Sequence, residues 1–412
     1  MAGKKRTDNK GRILRIGEQQ RSQDGRYMYR YTDLSGKKRT IYALTLVELR
    51  EKEKQIERDL QDGIDISKGD MTLNQLFQTY LETKSNLRKS TRCLYQTTWK
   101  NNIVDSALGN MKISQIKQLH VKAFYSGLAK RGLAENTIKL CHSMIFPALE
   151  LAVDSDIIRK NPAKNCGKEI GGKKKAKTSL TIAEQERLLE FMRNEDRYIV
   201  YYPLVAFALS TGLRIGELTG LRWSDVDLEG QVLHVRQQLA YLDFGDGYKF
   251  HVQELKTEAG RRDIPLTMNA RESLMEQEEI SLILGRAAKR QEIEGISDFV
   301  FINSQGKPYT TGAINRVLYD VVKVYNQQEE ERARDEHREP EPLGHISAHT
   351  LRHTACSRFA ESGLEPKVLQ YIMGHANFSV TYDIYTHLDF SQIRTQVLDK
   401  GRPDDGACSE AD

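Results

Sequence analysis

Apolar and polar positions alternate over residues 12–21, 26–32 and 38–46, a period of two that predicts short strands, with turns at Asp24-Gly25 and Ser35-Gly36. In the middle stretch Tyr27, Tyr29 and Tyr31 share one face, and Arg26, Met28 and Arg30 share the other. Residues 46–62 then read as a helix rich in Glu, Lys, Arg and Leu, ended near Gly63, and a sheet this small needs that helix to cover one face. After a polar connection over 63–70, helical spacing returns over 72–84, 90–103, 113–131 and 134–155, with turns at Gly109, Gly132 and Pro162. Residues 166–177, with Gly171-Gly172 and Lys173-Lys174-Lys175, have the composition of a flexible basic linker. Beyond it, helices are expected over 181–193 and 201–210, and strands over 231–242, 248–256 and 261–265. Their turns fall at Gly245-Asp246-Gly247 and Glu258-Ala259-Gly260, and more helices follow. The charge run 327–342, ending in prolines, reads as an exposed insertion, and 401–412 as a frayed acidic tail. The fold class is therefore α+β and multidomain. A three-stranded sheet plus helix occupies residues 1–65, an all-helical domain 71–165, and a mainly helical domain with a small antiparallel sheet 178–400.

Length and composition narrow the classes. With 412 residues, 39% of them hydrophobic, the chain can bury large cores unaided. No apolar run approaches a membrane span, and the polar, basic first ten residues lack the apolar stretch of a secretory signal. The cysteines (Cys93, Cys141, Cys166, Cys356 and Cys408) are scattered and odd in number, which argues against a disulfide framework or a Cys-rich zinc site and fits a reducing cytoplasm. The net charge is +5, yet residues 1–45 hold twelve Lys/Arg against four Asp/Glu. An extremity carrying more than the whole surplus suggests a polyanion-binding module, although a solvated basic tail has the same composition.

Four clusters in the last domain carry candidate chemistry: Thr211-Gly212-Leu213-Arg214-Ile215-Gly216-Glu217-Leu218, Lys256-Thr257-Glu258-Ala259-Gly260-Arg261-Arg262, His349-Thr350-Leu351-Arg352-His353, and Met373-Gly374-His375 followed by Tyr385-Thr386-His387. Singly each has an ordinary explanation. Arg214 with Glu217 makes an ion pair at a helix start, a turn lysine is solvated, His349 and His353 cap or pack, and a tyrosine is half-buried. Jointly, the order Arg, Lys, His-x-x-Arg, Gly-His, Tyr resembles that of the tyrosine recombinases, or phage-type integrases, closely over residues 178–390. The preceding helical segment resembles the family's core-binding domain. The N-terminal sheet and helix resemble the arm-binding domain of integrases from conjugative transposons of Gram-positive bacteria.

The resemblance implies a site-specific recombinase that cuts and rejoins DNA through a 3′-phosphotyrosyl link, integrating and excising a mobile element. Arg214 and Arg352 would clamp the non-bridging phosphate oxygens, since guanidinium forks bind such oxygens bidentately and stay charged. His349, three residues before Arg352, would donate to the phosphate or help handle the tyrosine proton. His375 would bind another oxygen. Tyr385 would attack, and Lys256 would protonate the leaving 5′-oxygen. Glu217 would orient Arg214. Tyr382, three residues before Tyr385, would fall on the same face of a helix, and the resemblance of the Tyr-Thr-His ending to that of family members favours Tyr385. Side chains supply the charge and bond energy is conserved, so no cofactor, metal or ATP is called for. Double-stranded DNA is the expected partner, at arm sites through Arg26, Arg30 and Lys38 and at core sites through Arg88, Lys89 and Lys174. A second partner is the chain itself, as a tetramer on synapsed duplexes. An excisionase and a host DNA-bending protein are further expected partners, no membrane is, and the location would be the bacterial cytoplasm at the nucleoid. The rivals are a type IB topoisomerase, a zinc hydrolase built on His349, His353 and His375, and a non-enzymatic DNA-binding regulator.

Overall fold

Thr45 is where alternation gives way to helix: its extended backbone and its hydroxyl, which accepts from the Glu48 amide at 3.1 Å, cap α1 (Leu46–Gln61). Before it lie β1 (Glu18–Gln20), β2 (Tyr27–Thr32) and β3 (Lys38–Ala43), an antiparallel sheet in that order. The computed structural model describes residues 6–34, 36–64, 68–170, 179–255, 257–379 and 381, and the chain divides into two compact units, 1–174 and 175–412. Tyr27 and Ala43 on the sheet meet Leu46 and Leu49 of α1, with Leu14, Tyr29 and Ile41 packed around them. Cross-strand pairs share a face, so Arg30 opposite Thr40 and Thr32 opposite Lys38 lie with Arg26 on the side away from α1. The expected strand over 12–21 is shorter than its alternation. The Asp8 carboxylate accepts the amides of Lys10 and Arg12 and turns the chain, and Gly17 (φ +89°) sits where a Cβ would come within 2.8 Å of the Tyr29 ring.

The rest of the first unit is helical: α2 (Leu73–Thr83), α3 (Lys89–Asn102), α4 (Gln118–Lys130) and α5 (Glu135–Asp154). A Thr72–Gln75 capping box starts α2. Phe77 stacks on Trp99 with centroids 3.6 Å apart, and Trp99 Nε1 donates to Asn74 at 2.9 Å. The single helix expected over 113–131 is two pieces, a 3₁₀ turn at Ile113–Gln115 and then α4. Lys117 between them is extended, and its amide donates to the His120 ring at 3.2 Å.

The second unit is built around α7 (Tyr202–Thr211), buried on nearly every side and flanked in sequence by α6 (Ile182–Asn194) and α8 (Ile215–Thr219). Strands β4 (Val226–Asp227), β5 (Val232–Val235), β6 (Gln237–Asp243), β7 (Tyr248–Glu254) and β8 (Arg262–Pro265) follow, then α9 (Met268–Ile283), α10 (Thr311–Asp335), α11 (Ala348–Glu361) and α12 (Pro366–Met373). The core joins Phe207, Leu209, Leu274, Phe301, Leu318 and Leu351. Two expectations change here. The stretch 231–242 is two strands in different sheets, β5 between β4 and β8, and β6 paired, among the described residues, with β7 alone. Gly216 and Gly220 of the α8 region bring that backbone against Leu239 of β6, where a Cβ on Gly220 would lie 2.8 Å from the Leu239 nitrogen. The charge run 327–342 is exposed at most positions, as expected, but it is continuous with a helix rather than a separate loop. Its first half continues α10, whose inward positions Tyr325, Glu329 and Ala333 step every fourth residue. The remainder folds back, with Arg338 on Glu329 and the Leu343 amide on Asn326 at 2.8 Å.

Candidate active site

Helices α7 and α12 both end in a left-handed glycine, Gly212 (φ +64°) and Gly374 (φ +61°). The end of α12 exposes the carbonyls of Ile372, Met373 and Gly374, and a different arginine takes each. Arg262 Nε donates to Ile372 at 2.6 Å, Arg352 Nη2 to Met373, and Arg214 Nη2 to Gly374. Three guanidiniums from β8, α11 and the start of α8 thus meet at one helix terminus, where orphan carbonyls and the negative end of the helix dipole favour cations. Arg352 also donates to the Gly212 carbonyl at 2.8 Å, so the ends of α7 and α12 hold it from two sides.

One carboxylate sits among them. Glu217 accepts from Arg214 Nη1 at 2.8 Å and from both Nη atoms of Arg262 at 3.2 and 2.9 Å. Burial opposes its ionisation, but the Arg262 hydrogen bonds and the charges of Arg262 and Arg214 outweigh it, and the carboxyl stays below its ordinary range. Arg352 is 6% exposed. Its burial, with the Arg214 charge beside it, pushes its pKa down to about 10, still charged at neutral pH. Its hydrogen bonds among the described residues go to carbonyls, which orient a guanidinium without cancelling its charge. Three cations against one anion leave the pocket positive, the state that receives a phosphate.

His375 follows Gly374 directly. Burial first, then the charges of Arg352 and Arg214, push its pKa down to about 4, so the ring is neutral at physiological pH. Its Nδ1 lies 2.9 Å from the Thr381 hydroxyl. His349 is exposed at the first turn of α11, one turn before Arg352, and its ring stands edge-on to His353 with centroids 5.0 Å apart. The charge of His353 also bears on His375.

Of the residues expected from sequence, Arg214, Arg352 and His375 converge, with His349 one turn before Arg352 on α11. Lys256, Tyr385 and Lys174 lie outside the described residues. Arg26, Arg30 and Lys38 share the open sheet face, and Arg88 and Lys89 are exposed at the start of α3. The clusters quoted from sequence contained Arg262 without giving it a part. Its signal is an arginine at an inward position of β8, alternating with Ile264. Thr381 had no signal in spacing. Among the described residues no group of His, Cys, Asp or Glu converges to hold a metal ion, and no helix is long and apolar enough to cross a membrane.

Comparison with known proteins gives three matches to family patterns: the Phage integrase family over residues 178–392, the DNA binding domain of Tn916 integrase over 2–60, and a phage integrase N-terminal SAM-like domain over 72–129. The chain is 33% identical to the transposase from transposon Tn1545 of Streptococcus agalactiae and to that from Tn916 of Enterococcus faecalis, in each case over 95% of this chain and 96% of the relative. It also resembles the solved Tn1549 transposon integrase in complex with a circular intermediate DNA. That likeness has a TM-score of 0.69 and 29% identity, and covers 80% of this chain and 99% of that one.

Proposed function

As this chain belongs to the phage integrase family and is a site-specific tyrosine recombinase, we propose that it cuts and rejoins duplex DNA through Tyr385, moving a mobile element into and out of its host DNA. The observation that carries this assignment of roles is the pair of arginines, Arg214 and Arg352, set on adjacent carbonyls beside a neutral His375. The oxygens of a phosphodiester entering there meet guanidinium N–H groups already oriented, which lowers the barrier as charge builds on phosphorus. The Tyr385 oxygen bonds to phosphorus as the bond to the 5′-oxygen breaks. The phenolic proton passes to a base, the role this reading gives His349, and Lys256 gives a proton to the departing 5′-oxygen. The freed 5′-hydroxyl of a partner strand then reverses the step at the phosphotyrosine. No observation favours the topoisomerase-like alternative.

DNA binding divides among three segments in this reading: 1–65 on arm sites, 71–165 on the core site, and 178–400 on the cleaved phosphate. Arg26, Arg30 and Lys38 offer cations on the sheet face that α1 leaves open, and Arg88, Lys89 and Lys174 contact core-site phosphates. The active assembly is a tetramer on two duplexes, at the nucleoid of a bacterial cytoplasm. Incubating the full chain and its Tyr385→Phe variant with a nicked suicide duplex tests the chemistry. The wild-type protein forms a covalent adduct and the variant forms none; an adduct on the variant would reject Tyr385 as nucleophile.

A further inference from the structure

Arg262 is more deeply buried than either clamp arginine, with its side chain fully enclosed, and the roles above leave it without a part. Its hydrogen bonds join three elements. Nη1 and Nη2 fork onto Glu217 of α8, Nε holds Ile372 at the end of α12, and Nη1 also takes the Gly260 carbonyl at 2.9 Å. Gly260 closes the turn Glu258–Gly260, which begins two residues after Lys256. The same turn lies against α12 on its other side. A Cβ on Gly374 would stand 3.1 Å from the Ala259 carbonyl and 3.0 Å from Arg262 Nη1. Arg262 therefore sits between the turn Glu258–Gly260 and the carbonyls that hold Arg214 and Arg352. Buried ion pairs contribute little to stability compared with apolar packing, while a bidentate fork fixes geometry in two directions.

We propose that Arg262 is a positioning residue for strand cleavage: it holds the turn that delivers Lys256 in register with the arginine clamp. The proton donor then reaches the 5′-oxygen as its bond to phosphorus breaks. This rests on Lys256 being the proton donor. In the step concerned, the bond from the tyrosine oxygen to phosphorus forms and the bond from phosphorus to the 5′-oxygen breaks. The departing oxygen keeps the electron pair and takes the lysine proton. A 5′-bridging sulfur leaves as a thiolate and needs no proton, so it removes the demand on Lys256 while leaving the demand on the clamp.

The test uses the full chain with Arg262→Lys, Arg262→Met and Lys256→Ala, each on nicked suicide duplexes carrying oxygen or sulfur at the bridging position. The expected result is duplex binding within about 3-fold of wild type and cleavage of the oxygen substrate slower by on the order of 10²-fold, with cleavage of the sulfur substrate restored to within a few-fold, for all three variants. Rescue of Lys256→Ala but of neither Arg262 variant would overturn the inference and leave the lysine assignment standing. Failure to rescue Lys256→Ala would overturn the lysine assignment and the inference with it. Loss of folding or duplex binding in both Arg262 variants would make Arg262 a residue that holds the fold, and would equally overturn it.

Discussion

Two of the regions in which this molecule buries carboxylate beside arginine finish in different states, one positive and one with a carboxyl that holds its proton. At the end of α12, Arg214, Arg262 and Arg352 surround the single carboxylate of Glu217, and backbone carbonyls take other N–H groups of all three. In the N-terminal module two carboxylates, Glu18 and Glu53, lie together, 0% and 2% exposed. Arg50 commits its Nε to Glu18 at 2.9 Å, the Arg15 amide also goes to Glu18 at 2.6 Å, and Glu53 has Arg15 Nη1 only at 3.9 Å. A carbonyl holds a cation without neutralising it, so the first cluster stays positive and can take up an anion. In the second cluster the close hydrogen bonds of Arg50 go to Glu18, and Arg15 reaches Glu53 only at 3.9 Å, so the Glu53 carboxyl holds its proton above the ordinary carboxyl range. The same residue types thus make a receptor in one place and a titrating pair in the other, and the difference lies in what accepts the arginine hydrogen bonds.

Removing the positive surplus is the largest perturbation this comparison allows. Arg352→Gln keeps a donor for the Gly212 or Met373 carbonyl but deletes the charge. Single-turnover cleavage of a nicked duplex is expected to slow by on the order of 10³-fold, with duplex affinity changed only a few-fold. A loss below 10-fold would mean that the buried charge of Arg352 is not what the phosphate meets. A smaller effect is expected from the neutral member of the pocket. When the Thr381 hydroxyl donates to His375 Nδ1, the ring proton sits on Nε2, ready for a phosphate oxygen. Thr381→Val should lower the cleavage rate by about 10-fold and Thr381→Ser should restore it. Equal losses in both variants would show that the methyl group rather than the hydroxyl matters there.

Legibility from sequence followed the same division between side chains and backbone. Arg214, Arg352 and His375 stand in motifs whose residue types are distinctive, and the sheet and helices of the N-terminal module follow from alternation and a Thr45 cap. What holds the arginines was not legible, because the carbonyls of Gly212, Ile372, Met373 and Gly374 exist at every residue and become acceptors only where two helices end together. The part of Arg262 is illegible in sequence for a related reason. An arginine in a turn-and-strand segment reads as solvated until the facing Glu217 is placed by the fold. Within the run 327–342 charge density hides the helical period: Glu329 occupies an inward helical position and is buried on Arg338.

The smallest effect tests the negative cluster. Burial and then the Glu18 charge push the Glu53 carboxyl up to about 7, while hydrogen bonds from Arg50 and the Arg15 amide overcome burial and hold Glu18 below its usual range. The folded state therefore binds the Glu53 proton more tightly than the unfolded chain does. Stability from this group is fully present below the ordinary carboxyl value near 4.5 and is lost as pH rises through about 7. Glu53→Gln mimics the protonated form at every pH. Thermal unfolding of the N-terminal module should then show the variant more stable than wild type by on the order of 1 kcal/mol at pH 8, and the two nearly equal at pH 5. Destabilisation at pH 8 would mean that ionised Glu53 is held by Arg15 after all. The contrast with the active site would then be one of degree, with a cation serving both clusters.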